Sequence, residues 1–405
     1  MNCTSKIIQK RFENKFSYTR TKSEAIIKRV LAPFAFDALA QELETSHFVS
    51  IFSDASNRKD IKLFPTLVRY FNTQNGISIK IIDVTSAPGE TAEIISKLLL
   101  KVLDKNNLGN KLVAYCADNA NTNFGGVSKK GNKNVFNKLK QNVPEKLIGI
   151  GCAAHIIHNT IQTAADLLPV DVDSVINKIY SHFYIFTVRV ESLKTFCEEA
   201  ETDYHKFLST KEGEINKEWF YSRVVQFYKN CLDYLRLWLS QFSDIGCFEW
   251  TDLNQCVEWE NVQKTLEFIS EHFTANDIGE SALFDEVTLI KNYATEQKIK
   301  EWQEMKTSID LRWVEIFQHF DVQQISFALC LPVTNAPTER VFSIINNIWT
   351  SEKPQLTVET LKAMIAVRCN LGRSCEEFLL KIQDNSGLLK KYIPQKSTYR
   401  NTDYE

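Results

Sequence analysis

The stretch Leu112-Val113-Ala114-Tyr115-Cys116-Ala117-Asp118-Asn119-Ala120-Asn121 decides the fold class of this chain. Its apolar half, which includes a β-branched valine and an aromatic tyrosine, runs into an acidic and amide-rich turn. That order is typical of a buried strand and its end. A second apolar run, 48–53, ends in Asp54-Ala55-Ser56-Asn57 and echoes the first. Two strand-end aspartates predict a shared acidic site, although each could also be an ordinary turn former.

The composition of the chain limits the classes of protein it can belong to. With 405 residues and 44% hydrophobic content, the chain can hold two or three domains with buried cores. A formal net charge of −2 gives no overall attraction to nucleic acids or membranes. Segment 1–30 nevertheless carries eight Lys and Arg against two Glu. We predict that it is a basic N-terminal segment, either a nuclear targeting signal or a solvated arm, and we expect a nuclear protein.

The cysteines and the apolar runs make further exclusions. The ten cysteines contain no C-x-x-C pair, so we expect reduced thiols of an intracellular protein and recognise no zinc finger. No apolar run approaches the roughly 18 residues of a membrane span, so we predict no membrane partner.

The order of elements before residue 152 predicts a mixed sheet. Apolar periodicity indicates a helix over 25–43, then strands, a polar turn over 58–62 and two further helices. The strands are predicted at 48–53, 63–71, 77–84, 112–117 and 147–151, and the helices at 91–106 and 133–139. Asn75-Gly76 is a hairpin signal, and the short loops exclude parallel crossovers among the first three strands. The order β-β-β-α-β-α-β therefore favours an α/β (α+β) protein of the ribonuclease H-like kind over a Rossmann sheet.

The chain after residue 153 reads as helical. Helical segments are predicted at 172–180, 224–239, 262–273 and 284–302. We divide the chain into the basic segment 1–30, a first part of the ribonuclease H-like core over 31–190, a helical insertion over 191–325, and 326–405. The six tryptophans between residues 219 and 313 could form a base-stacking platform, but at helical spacing core packing is the plainer interpretation.

The last block begins at 331–340 and contains Glu339. Asn335 is predicted to cap a helix whose first turn tolerates Pro337. Two apolar stripes follow, at Val341, Ile344, Ile345 and Ile348 and at Leu361, Met364 and Ile365. They suit either an intramolecular core or a dimer interface.

Three carboxylates suggest phosphodiester chemistry. A two-metal site needs oxygen ligands that hold two cations about 3.5–4 Å apart. Asp54, Asp118 and Glu339 could supply them to Mg²⁺ or Mn²⁺. The plainer alternative makes the aspartates turn formers and Glu339 a first-turn residue favoured by the helix dipole.

A second cluster, Cys152-Ala153-Ala154-His155, follows the last predicted strand. Zinc would need four ligands, and no second pair lies nearby. A catalytic Cys–His pair is conceivable, but the spacing is not diagnostic. We favour His155 as an active-site donor or a local structural contact.

Four segments together resemble the hAT superfamily of cut-and-paste DNA transposases and their host-adopted relatives. They are Phe52 to Asn57, Ala117 to Asn121, Gly151 to His155, and Thr338 to Ser343. The resemblance implies a catalytic and metal-binding triad of Asp54, Asp118 and Glu339, with Mg²⁺ or Mn²⁺ as cofactor. It implies that Cys152 and His155 form the C-x-x-H motif, with the histidine beside the scissile phosphate. It also implies DNA as partner, and a homodimer or higher oligomer formed through C-terminal dimerisation helices in 326–405.

The sequence also departs from that family. The BED-type zinc finger usual in the family is missing, and an Arg-Trp pair occurs only late, at Arg312-Trp313. We therefore expect a hAT transposase-like protein that binds DNA and cleaves or transfers strands through the triad. The alternative is a catalytically inactive, domesticated or truncated transposase that acts as a dimeric nuclear interaction or transcription-regulatory protein.

Overall fold

The computed structural model divides the chain into two compact units. One unit consists of Met1–Cys152 and Asp244–Glu405, and the other of Ala153–Ser243. The structure describes residues 10, 19–58, 60–126, 131–143, 147–166, 168, 217–240, 244–272, 280–320, 326–350, 356–372, 376–377 and 380. The division of the chain into 1–30, 31–190, 191–325 and 326–405 stays a prediction. The helix predicted at 172–180 lies outside the described residues.

The first unit is built on a six-stranded mixed sheet. Its strands are β1 (Val49–Ser53), β2 (Ser56–Arg58), β3 (Ile61–Asn72), β4 (Gly76–Ala87), β5 (Leu112–Ala117) and β6 (Ile148–Gly151). The order is β2-β3-β1-β5-β6, and β4 also pairs with β3. The pairs β1–β3, β2–β3 and β3–β4 are antiparallel, whereas β1–β5 and β5–β6 are parallel. The predicted mixed α/β fold is confirmed.

Two local predictions need correction. The polar turn predicted at 58–62 is shorter than expected: Asp60 lies in a turn, but Ser56–Arg58 pairs with Ile61–Leu63 as a short antiparallel ladder. The start of β3 extends beyond its pairing with β1, so its backbone groups are available to β2. The hairpin between β3 and β4 is confirmed, but Asn72 pairs with Gly76, so its loop is 73–75 rather than two residues. Gly76 supplies the positive φ of +79° that such a loop requires.

The core of the first unit lies between the sheet and its helices. The helices before β6 are α1 (Arg20–Ile26), a π-helical turn (Ile27–Leu31), α2 (Ala32–Thr45), α3 (Ala92–Lys105), α4 (Asn121–Phe124) and α5 (Val135–Lys140). Leu39 and Leu99 join Ile51 and Tyr115 in one buried cluster. Gly149 allows close packing there, because an added Cβ would lie 2.9 Å from the Phe136 ring.

The second unit contains two described helices. They are α6 (Ala153–Ala165) and α7 (Lys217–Leu239), and they pack against each other. The prediction of a helix at 224–239 is confirmed, and α7 begins one to two turns earlier.

From residue 244 onward, the described part of the first unit has a 3₁₀ segment at Asp244–Asp252 and then seven helices. The helices are α8 (Trp259–His272), α9 (Glu280–Tyr293), α10 (Glu296–Glu304), α11 (Ile309–His319), α12 (Ser326–Cys330), α13 (Ala336–Ile348) and α14 (Val358–Asn370). The prediction of a single helix at 284–302 is wrong, because α9 ends at Tyr293 and α10 begins at Glu296. The Thr295 hydroxyl accepts a hydrogen bond from the Lys298 N–H. That N-cap starts a new helix.

Trp302 of α10 and the Arg312-Trp313 pair of α11 have structural roles. Trp302 and Trp313 are buried, as the core interpretation predicted, whereas Trp219 in α7 is 43% exposed. Arg312 is also buried, and its guanidinium donates to the carbonyls of Thr307, Asp252 and Leu253. The Arg312-Trp313 pair therefore holds the helices to the 3₁₀ segment.

Most side chains of the apolar stripes in the C-terminal helices are buried in the core of this chain. Val341, Ile345 and Ile348 of α13, and Leu361 and Ile365 of α14, are all buried. The core interpretation of these stripes therefore holds for the buried members.

Helix α14 also covers the edge strand β4. The Asn370 amide donates to the Ile81 carbonyl (2.8 Å) and accepts from the Ile81 N–H (2.9 Å), as a neighbouring strand would. An uncovered edge of this kind would invite pairing with another chain.

In the part of the chain that the structure describes, no helix is long and apolar enough to cross a membrane. None of the seven cysteines in that part forms a disulfide. Burial raises the pKa of Cys330 to about 12, which leaves little reactive thiolate at neutral pH.

The Lys362–Asp83 ion pair docks α14 on β4 and gives a pH-dependent prediction. Burial alone would raise the pKa of Asp83, but Lys362, Thr85 and the Val84 N–H together lower it. Because the folded-state pKa is lowered, this stability is present above the unfolded pKa near 4 and is lost as pH falls through the folded value. We expect Lys362→Met to lower the free energy of unfolding by about 1–2 kcal/mol at pH 7.

Urea denaturation of both proteins from pH 7 to pH 3 measures this difference. It should shrink below about pH 4, as Asp83 becomes protonated. The control is Lys97→Met, which removes an exposed Lys97–Glu93 pair and should change stability by less than about 0.5 kcal/mol. A difference that stays constant over this pH range would contradict the prediction.

Candidate functional site

The parallel pairing of β1 and β5 brings Asp54 and Asp118 together. Phe52 pairs with Cys116, and each aspartate follows its paired residue by two positions. Carboxyl ends of neighbouring parallel strands lie at the same edge of a sheet, about 4.8 Å apart. Both aspartates are half-buried and line one cleft of about 220 Å³. The other lining residues are Ser53, Ala55, Phe64, Glu90, Ile95, Ala120, Thr122 and Asn123.

Hydrogen bonds from the following turn hold Asp118. Its Oδ1 accepts from the Asn123 Nδ2 at 2.6 Å and from the Ala120 N–H at 3.1 Å. Asn123 in turn accepts from the buried Tyr115 hydroxyl at 2.9 Å. Burial, and after it the charges of Asp118 and Asp54, raises the pKa of Tyr115 well above its usual value. The Tyr115 hydroxyl is therefore a permanent donor at neutral pH.

Asp54 is held by its own loop and by the start of α13. Its Oδ1 accepts from the Ala55 N–H at 2.7 Å, and its Oδ2 accepts from the Asn335 Nδ2 at 3.2 Å. Asn335 is fully buried, and its Oδ1 accepts from the Thr338 hydroxyl at 2.7 Å. Asn335 occupies the N-cap position of α13, as predicted, but its side chain caps no backbone N–H. Its Oδ1 is taken by the Thr338 hydroxyl, and its Nδ2 donates to Asp54.

Cys152 joins the loop before α13 to the sheet. The Asn335 N–H donates to the buried Cys152 sulfur at 3.2 Å, and Thr334 Oγ1 lies 3.4 Å from the same atom. The Cys152 backbone accepts from the Asn119 amide at 3.0 Å and donates to the Ala117 carbonyl at 3.0 Å. Cys152 therefore ties the ends of β5 and β6 to the start of α13.

The two other predicted site residues, His155 and Glu339, belong to helices α6 and α13. His155 lies in α6 of the second unit, so its role at the carboxylates stays a prediction. Glu339 lies in the first turn of α13, one turn after Asn335, and is exposed. It is not among the residues that line the cleft, whereas Glu90 is, and Glu90 forms an ion pair with Lys62.

The carboxylate oxygens of the cleft are of the chemical type that binds a hard divalent cation. Asp54 and Asp118 present carboxylate oxygens, which Mg²⁺ and Mn²⁺ prefer. Within the described part of the chain, however, no three His, Cys, Asp or Glu side chains already form a cluster that could hold a metal ion. The fit to a cation therefore rests on two neighbouring carboxylates.

Sequence reasoning missed three residues around the two aspartates. Asn123 was part of a repeated asparagine pattern, Asn335 was interpreted as a cap, and Glu90 follows the Pro88-Gly89 break. Only the asparagine pattern carried a local signal, because Glu90 and Asn335 approach the cleft through the tertiary fold.

A scan of the chain against protein-family models finds no match, and a search of curated proteins finds none either.

The role of Cys152 as a joint can be tested by stability. We expect Cys152→Ala to lower the free energy of unfolding by about 1–3 kcal/mol, because the Asn335 N–H would lose its buried acceptor. Urea denaturation at pH 7 measures the change. The control is Cys256→Ala, at a half-buried thiol outside this network, with an expected change within about 0.5 kcal/mol. Equal stability of Cys152→Ala and the wild type would show that Cys152 does not hold the start of α13 to the ends of β5 and β6.

Proposed function

We propose that this protein is derived from a hAT transposase and has a ribonuclease H-like core. The sheet supports this proposal. Strands β1, β3 and β4 follow one another along the chain, apart from the short β2, and pair in antiparallel fashion. Strand β5 pairs in parallel with β1, and β6 pairs in parallel with β5. This is the arrangement expected of that class from the order of elements in the sequence. The C-terminal helices and the helical segment between the two parts of the first unit are compatible with the same derivation.

We further propose that the protein cleaves or transfers DNA strands. The single observation that carries this proposal is the position of Asp54 and Asp118, each two residues beyond the paired residues Phe52 and Cys116 of β1 and β5, with both on one cleft. Two half-buried carboxylates at one sheet edge present the oxygen ligands that a hard divalent cation prefers. A nuclease of the two-metal class uses that arrangement.

The chain's own residues have separate roles in this proposal. Mg²⁺ or Mn²⁺, when bound, would supply the charge that stabilises the phosphoryl oxygens and activates the attacking water or 3′-hydroxyl. Asp54 and Asp118 would hold the cations, and Asn335 and Asn123 would hold the aspartates. Glu339 would complete the site from the first turn of α13, and His155 would donate to the scissile phosphate.

A second candidate function is a non-catalytic nuclear interaction protein that keeps the fold. The position of Glu339 favours it, since this side chain is exposed and the cleft is lined without it. The two candidates differ in whether the carboxylates still bind a cation and cleave DNA.

Plasmid nicking separates these candidates. We expect the wild type to nick supercoiled DNA in Mg²⁺ or Mn²⁺, and Asp118→Asn to reduce the rate by at least about 100-fold, because one cation ligand loses its charge. The matched control is Asp104→Asn, at an exposed aspartate of α3 outside the cleft, which should nick at the wild-type rate.

Absence of metal-dependent nicking by the wild type, together with no Mn²⁺ binding that depends on Asp118, would reject the nuclease proposal. The non-catalytic candidate would then stand.

We also propose that the protein is a nuclear homodimer or higher oligomer formed through the C-terminal helices. Light scattering at micromolar concentration should give at least twice the 46.7 kDa mass of one chain. The mass of a single chain would contradict the oligomer without bearing on the nuclease.

A further inference from the structure

Each aspartate of the cleft is held by a buried asparagine, and each asparagine is held by a hydroxyl group. On the Asp54 side the chain of hydrogen bonds runs from Thr338 through Asn335 to the carboxylate. On the Asp118 side it runs from Tyr115 through Asn123. The two chains of contacts come from different parts of the sequence, yet they have the same chemistry.

The carboxylates and the hydroxyl groups together fix which way the amides face. An asparagine amide has an acceptor oxygen and a donor nitrogen, whereas a carboxylate can only accept. The amide nitrogens of Asn335 and Asn123 therefore face Asp54 and Asp118. The Thr338 hydroxyl then donates to Asn335 Oδ1 at 2.7 Å, and the Tyr115 hydroxyl donates to Asn123 Oδ1 at 2.9 Å, so both amide oxygens keep a donor.

Burial makes this orientation rigid. Asn335, Thr338 and Tyr115 have no measurable exposure, and Asn123 is 9% exposed. Water cannot replace a lost partner at such positions, so an unpaired amide or hydroxyl is strongly disfavoured. The amides are thus fixed donors rather than mobile surface groups.

The hydrogen bonds also select carboxylate oxygens. The two hydrogen bonds that Asp118 accepts from Asn123 and Ala120 both reach Oδ1. Metal-binding carboxylates are oriented by such outer hydrogen bonds, and loss of the outer partner typically weakens metal binding by about 10–100-fold.

We propose that Asn335 and Asn123 are positioning residues that orient Asp54 and Asp118 for a divalent cation, each locked by a buried hydroxyl. The inference rests on the proposed function, because it needs the cleft to bind Mg²⁺ or Mn²⁺. It adds a coupling: Asn335 is the N-cap residue of the helix that carries Glu339, so its hydrogen bond to Asp54 ties the start of that helix to the carboxylate.

Mn²⁺ affinity of the full chain tests the inference. Titration followed by the electron paramagnetic resonance of free Mn²⁺ gives a Kd for the wild type, Thr338→Val and Tyr115→Phe. Each substitution removes one hydroxyl and keeps nearly the same shape, so the amide stays but loses its lock. We expect each Kd to rise by about 10-fold or more.

Two variants serve as controls. Thr338→Ser keeps the hydroxyl and should restore the wild-type Kd, which a loss of packing alone would not predict. Asn347→Ala alters an exposed asparagine on α13 and should leave the Kd unchanged. Thermal unfolding of every variant confirms that it is folded, and Tyr115→Phe carries the test if Thr338→Val does not fold.

The outcomes separate this inference from the nuclease proposal. Wild-type binding that Asp54→Asn abolishes, together with unchanged Kd values for folded Thr338→Val and Tyr115→Phe, would overturn the positioning role and leave the metal site standing. A wild type with no Asp54-dependent Mn²⁺ binding would overturn both.

Discussion

The rest of the structure depends on the parallel register between β1 and β5. Phe52 pairs with Cys116, so the turns that follow the two strands leave the sheet at the same level. A shift of one residue would turn the side chains of one strand to the opposite face of the sheet. The buried faces of both strands prevent such a shift, because Ile51 and Tyr115 belong to one core. Core packing thus sets the separation of Asp54 and Asp118.

A ring of hydrogen bonds extends this register to the C-terminal block. Asn119 binds Cys152, Cys152 binds the Asn335 N–H, and Asn335 binds Asp54. Asn335 lies 281 residues after Asp54, so the ring closes only when the two sequence-distant parts of the first unit come together. Cys152 and Asn335 are buried, so water cannot replace their partners, which makes the arrangement specific. The cleft is therefore a product of the whole first unit.

The C-terminal helices illustrate how an apolar stripe can be misread. Periodicity shows that one face of a helix avoids water, but it does not name the surface that covers that face. In α13 and α14 the buried members of the stripes are covered by the same chain. The polar residue Asn370 then completes the edge of β4. Any dimer of this protein would have to use surfaces other than those buried side chains.

The sequence by itself determined the mixed sheet, most of its strands and the two strand-end aspartates, because alternation, turn signals and helix caps act over a few neighbouring residues. Only the tertiary structure decided what surrounds those aspartates. Asn335 looked like a helix cap, yet its side chain binds no backbone N–H, because the Thr338 hydroxyl donates to its Oδ1 and its Nδ2 donates to Asp54. Glu90 carried no local signal, and Glu339 matched a motif but lies exposed beyond the cleft lining. Contacts between distant segments depend on packing, which no short stretch of sequence encodes.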